Sequence, residues 1–178
     1  MGIQFFEPPP PVVNTGQTAL LQQKNNGKSW DVYDFFRAVL NSDQPLSNGV
    51  VTTAQLTVDE DSASAWDNIN YEYLIPADGV YNLNFLIKTQ MQITTPGFFN
   101  ITGYLQINSS DIPVGQVIYS DSSNGFHPTL MSGSIIRRLS SGDNVSIAAR
   151  YTISGGGVVS NPVISTGSEL VITKNQVV

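Results

Sequence analysis

The chain has 178 residues, no cysteine, and a formal net charge of −6 from 14 acidic and 8 basic side chains. Charged residues make up 12% of it, about half the roughly 25% of an average soluble domain. The balance excludes disulfide and thiolate–metal scaffolds, and it lacks the basic surface that binds nucleic acid or anionic lipid. The length suits one domain with a sizeable core. No apolar run approaches the roughly 20 residues that span a bilayer. The opening MGIQFF lacks the basic start and apolar stretch of an export signal, so the expectation is a chain made in a cytosol.

Residues 1–28 read as a Pro-rich extended arm. Pro8, Pro9, Pro10 and Pro11 favour a stiff polyproline conformation. Ahead of them, Ile3, Phe5 and Phe6 form an apolar hook. Two readings stay open here, a disordered leader and an anchor that docks on another protein. Residues 29–49 follow as a short helix and linker. The helix is predicted over Ser29–Leu40, with Ser29 as cap, Asp31 in the first turn, and Val32, Phe35, Phe36, Val39 and Leu40 as an apolar stripe. The run from Asn41 to Pro45 stops it.

From Val50 to the end the period is two, and residues 50–178 form the head domain. Val50 to Val58 reads as one strand. Tyr71 to Ile87 reads as two, broken at Pro76 and Gly79, with Tyr81, Leu83, Phe85 and Ile87 on one face. Ile101, Gly103, Leu105 and Ile107 alternate with Thr102, Tyr104 and Gln106, Val145, Ile147, Ala149 and Tyr151 alternate with Ser146, Ala148 and Arg150, and Leu170 with Ile172 close the series. Turn clusters at residues 95–97, 108–111, 120–125, 140–144, 154–157 and 165–167 separate the strands. The fold class is all-β, an antiparallel β-sandwich of jelly-roll type with an extended N-terminal arm and one short helix.

The P-x-x-G-x-Y-x-x-x-F run of Pro76, Gly79, Tyr81 and Phe85 carries a family resemblance. It is joined by the strand end Leu105 to Asn108, the segment Leu139 to Val145 with its Gly142-Asp143 turn, and the final Gly167 to Ile172. In this order and spacing they resemble the jelly-roll superfamily of tumour necrosis factor and the complement globular heads, over about Val50 to Lys174. The Gly-Ser-Glu-Leu at residues 167–170 replaces the Phe-Ser-Gly-Phe type of ending of complement heads. That departure points to viral, phage or bacterial members. The resemblance implies a homotrimer around a threefold axis, with a stalk-like N-terminal segment. Tyr73, Tyr104, Phe98, Phe99 and Tyr119 supply surplus aromatic surface and are the expected oligomer interface; completion of the protomer core is the alternative.

Nothing in the chain resembles catalytic machinery. His127 is the lone histidine, no G-x-S-x-G elbow exists, and Asp59, Glu60, Asp61, Asp67 and Glu72 read as solvated turn carboxylates rather than a glycosidase pair. No cofactor is expected, although Asp59, Glu60 and Asp61, or Asp121 and Asn124, carry the oxygens that Ca²⁺ takes. Asn100, Asn108 and Asn144 match the glycosylation sequon, a chance match in an Asn- and Ser-rich chain. The ligand-contact expectation falls on Asp121, Asn124, Phe126 and His127 in the loop Ser120 to Thr129, where an aromatic ring meets amide, hydroxyl and imidazole groups.

The combined expectation is a structural virion protein, not an enzyme. It is a trimeric capsid spike, head fibre or decoration protein on the capsid surface, held to other virion proteins by its arm and contacting a host glycan or receptor. The alternatives are a bacterial or secreted carbohydrate- or receptor-binding module and a pentameric capsid vertex protein.

Overall fold

The computed structural model describes residues 21–23, 30–32, 35–120 and 125–175. The arm residues Ile3, Phe5, Phe6 and Pro8 to Pro11, and the loop residues Asp121 and Asn124, lie outside them. Ten principal strands follow in chain order. They are β1 (Phe35–Val39), β2 (Thr57–Asp61), β3 (Glu72–Leu74), β4 (Gly79–Thr95) and β5 (Phe98–Ile107). Then come β6 (Ser110–Ser120), β7 (Gly125–Leu139), β8 (Asn144–Ser154), β9 (Val158–Ile164) and β10 (Glu169–Asn175). They build two antiparallel sheets, so the expected jelly-roll sandwich is the fold observed.

The 17-residue β4 is the spine of the front sheet. Its odd-numbered side chains from Tyr81 to Ile93 are buried, which is the period of two carried through an unbroken strand. Each large apolar side chain so buried contributes about 1.5–3 kcal/mol. On one side β4 pairs along its length with β7. On the other it pairs first with β10 and then with β9, and β10 continues to β1 and β2. The back sheet runs β6–β5–β8–β3, with Trp66–Asp67 beyond β3. Facing rows from both sheets fill the core, among them Phe36, Leu83, Ile87, Ile101, Leu105, Ile147 and Leu170.

Three local features shape the ends of the strands. The β5–β6 hairpin turns on Asn108 and Ser109, both at positive φ (51° and 61°), the backbone of a two-residue hairpin whose twist matches its strands. The β4–β5 and β8–β9 turns touch backbone to backbone. A Cβ on Gly97 would lie 2.5 Å from the Gly157 Cα, so neither turn tolerates a side chain there. A Cβ on Gly157 would also lie 2.5 Å from the Phe99 ring, which packs beneath it.

The helix expected over Ser29–Leu40 is not formed. Trp30–Val32 pairs antiparallel with Leu21–Gln23, and β1 occupies Phe35–Val39. Phe36, Ala38 and Leu40 alternate into the core. The segment is apolar at both the helical and the pleated spacing, so periodicity alone was ambiguous. Pairing with β10 and the aromatic cluster decided it, since the Phe36 ring lies 4.4 Å from Tyr73 and 5.2 Å from Trp66. The expected single strand Val50 to Val58 is also divided. Thr52–Thr53 pairs with β8 in the back sheet, while β2 pairs with β1 in the front one. The run crosses between layers, with Ala54 and Leu56 buried at the crossing.

Candidate functional site

The two described residues of the expected ligand loop face opposite ways. His127 points into the sandwich, where its ring meets Tyr119 edge-on at 5.0 Å. The Tyr119 hydroxyl in turn shares a 2.6 Å hydrogen bond with Thr129 Oγ1. Phe126, the next residue outward on β7, is 63% exposed. Strand alternation separates the pair, so Phe126 and His127 do not form one contact surface.

The expected interface aromatics divide in the same way. Tyr73, Phe99 and Tyr104 are buried within the protomer, at 1%, 1% and 5% exposure, and are therefore corrected to core and sheet-packing roles. Tyr73 belongs to the Phe36 cluster. Tyr104 is covered by the Arg150 guanidinium, 5.6 Å from its ring centre. Tyr119 packs partly against the core. Of the five only Phe98 presents its ring to solvent, at 56% exposure.

The structure instead exposes an apolar row that sequence reasoning missed. Phe126, Leu130 and Ile136 project from the outer face of β7, with Leu130 and Ile136 at 62% and 68% exposure. Their even-numbered positions are opposite in phase to the core-facing Thr129, Met131 and Leu139. Among the described residues β7 is an edge strand, hydrogen-bonded to β4 alone. Beside Leu130 a groove of ≈ 400 Å³ runs between residues 88–90, residues 128–130 and Ser165. The signal was present in the sequence, where apolar residues occupy both phases of the segment, but that pattern does not say which phase meets the core.

Of the carboxylates weighed as catalytic or Ca²⁺-binding groups, Asp59, Asp61, Asp67 and Glu72 are engaged in local structure. Arg37 bridges Asp59 and Glu169, with its Nε donating to Glu169 at 2.6 Å, and this charge pairing holds the guanidinium pKa above its usual value. Asp61 accepts from the backbone N–H groups of Ala63, Ala65 and Trp66 and so closes the turn after β2. Asp67 accepts from the N–H groups of Ile69 and Asn70 and from the Asn70 amide, and these bonds depress its pKa. Burial raises the pKa of Glu72, with the Asp67 charge adding to it. Among the described residues no three histidine or carboxylate groups cluster as a metal site.

No curated protein sequence and no protein-family model matches the chain. Solved structures share its fold. The crystal structure of murine APRIL at pH 5.0 superposes with a TM-score of 0.50 at 12% identity, covering 80% of this chain and 99% of that one. Eiger TNF from S. frugiperda gives 0.51 at 12% identity, covering 82% and 94%. The fold is therefore the jelly roll of tumour necrosis factor family proteins, as the motif resemblance implied.

Proposed function

We propose that the chain is a non-enzymatic structural and binding head that assembles as a homotrimer and is carried on a virion surface by its N-terminal arm. The observation that carries the self-association is the row Phe126, Leu130 and Ile136, each more than 60% exposed on the open edge strand of the front sheet. An exposed apolar edge is a template for unwanted pairing unless a partner covers it. A second and third copy packed around a common axis cover three such rows at once, and closed symmetry leaves none open. The jelly-roll resemblance favours three copies over five. The Pro-rich segment, the absence of cysteine and the weakly charged composition support the virion setting.

Sedimentation of the full chain tests the assembly, with three times 19.3 kDa as the expected mass. Replacing Leu130 and Ile136 together by Asp yields a folded monomer with unchanged circular dichroism. A monomeric or pentameric wild type overturns the trimer. Removing residues 1–28 leaves the head folded and abolishes particle attachment; unaltered incorporation overturns the anchor.

A further inference from the structure

We propose that the solvent face of the back sheet around Phe98 binds a neutral carbohydrate. The inference rests on reading the chain as a binding head, but it does not depend on self-association, because every residue it uses belongs to one protomer. It also lies on a different sheet from the apolar row of β7.

Phe98 is the first residue of β5, and its ring is held rather than free. A Cβ at Gly155 would stand 3.1 Å from the Phe98 Cδ2, so the ring lies across the bare backbone of the β8–β9 turn. Gly155 has φ +72°, a conformation that glycine adopts without strain, and the turn supports the ring for that reason. Behind it, Phe99 packs under Gly157 and Gly157 abuts Gly97, so both turns and both rings form one packed unit. The exposed side of the Phe98 ring is thus pre-positioned, which lowers the ordering cost of stacking a ligand on it.

The neighbours of the ring are chemically uniform. Direct strand partners share a face, so Ser154 lies beside Phe98, while Thr152 and Ile118 flank Asn100. One step further, Thr102 lies between Gln116 and Arg150. Among the described residues the first charge on this face is therefore Arg150, and it is already stacked on Tyr104. Among the described residues, Phe98 itself is surrounded by amide, hydroxyl and aliphatic surface. Asn100 Oδ1 receives a long 3.4 Å bond from Thr102 Oγ1. The side chains of Gln116, Thr152 and Ser154 make no hydrogen bond to any described residue. These groups are solvated in the free protein and can exchange water for ligand hydroxyls.

A pyranose matches this surface. It offers an apolar C–H face to an aromatic ring and hydroxyls around its rim. Strand spacing of about 4.8 Å and a two-residue repeat of about 6.6 Å set Phe98, Asn100, Thr152 and Ile118 within the span of one or two sugar rings. A protein partner fits less well, because the fully buried core of a protein interface is more apolar than this surface. Here one ring and Ile118, 65% exposed, stand among hydrogen-bonding side chains. A carboxylated or sulfated sugar gains nothing, since no free cation lies beside the ring among the described residues.

The test is titration of the full chain with lactose, maltotriose, cellotetraose and tri-N-acetylchitotriose, read by calorimetry and by amide chemical shifts. One ring and a few exchanged hydrogen bonds set the expected Kd on the order of 1 mM per site. Phe98→Ala weakens binding at least tenfold and leaves the melting temperature and sedimentation unchanged. Phe126→Ala leaves sugar binding unchanged while altering sedimentation. The proposal is overturned if none of the four sugars binds, if Phe98→Ala binds as the wild type does, or if it changes the oligomeric state instead. Sugar binding by a monomeric wild type would keep this proposal and sink the trimer.

Discussion

The hydroxyl of Ser168 accepts the backbone N–H of Lys88 at 3.0 Å, on the central strand β4. It also donates to the carbonyl of Ser165 at 2.9 Å. β9 and β10 both pair with β4, and residues 165–168 are where the ladder passes from one to the other. At that gap the Lys88 carbonyl accepts from the Ser165 N–H, and the Ser168 side chain supplies the remaining partner. A fully buried serine side chain thus substitutes for a missing strand residue and keeps the front sheet continuous.

Ser168→Ala removes that partner and leaves the Lys88 N–H without one. An unsatisfied buried donor costs about 1–3 kcal/mol. Urea unfolding should show a lowered midpoint with an unchanged slope. A midpoint equal to the wild type would mean that water reaches the gap.

Thr89→Val should act in the opposite direction. Thr89 is 1% exposed, and its Oγ1 is buried without a hydrogen-bond partner. Valine keeps the branched shape and removes the unsatisfied hydroxyl, so the expected gain is about 1 kcal/mol. A raised urea midpoint supports this, and a lowered one would show that the hydroxyl is partnered in solution.

Asp143 gives the fold a dependence on acid. Its carboxylate accepts from the Asn108 amide and from the Ser140 N–H, each at 2.8 Å, and the Asn108 bond leads in holding its pKa below the usual value. A folded-state pKa below the unfolded one contributes stability that is complete above the ordinary carboxylate value of 3.8 and is lost as pH falls through the folded value. Asp143→Asn should therefore be less stable than the wild type at neutral pH, with the difference shrinking as pH falls from about 5 towards 2. Thermal melts across that range measure it, and a difference independent of pH would refute it.

Where the sequence was clear, one face of a strand had nowhere to go but the core. The β4 row from Tyr81 to Ile87 and the Gly142-Asp143 turn were legible because alternation and turn chemistry are local. The residues misjudged were those apolar at both spacings. Phe35, Phe36, Val39 and Leu40 fit a helix until β10 supplied a strand to pair with. Tyr73, Phe99 and Tyr104 carried no local mark separating a core ring from an interface ring. Phe126 and His127 were taken together as neighbours in sequence, and the pleat sent them to opposite sides.

By itself, the order of residues determined that this chain forms a weakly charged, cysteine-free sandwich of antiparallel strands, because composition, alternation and turn residues act within a few positions of each other. Only the tertiary structure decided which side of β7 meets solvent, that Phe98 rests on Gly155, and that Ser168 completes the ladder at Lys88. Those relations join residues 57 and 80 positions apart along the chain or depend on which sheet a strand enters. A period of two states that a strand has two faces; the partner sheet settles which of them is buried.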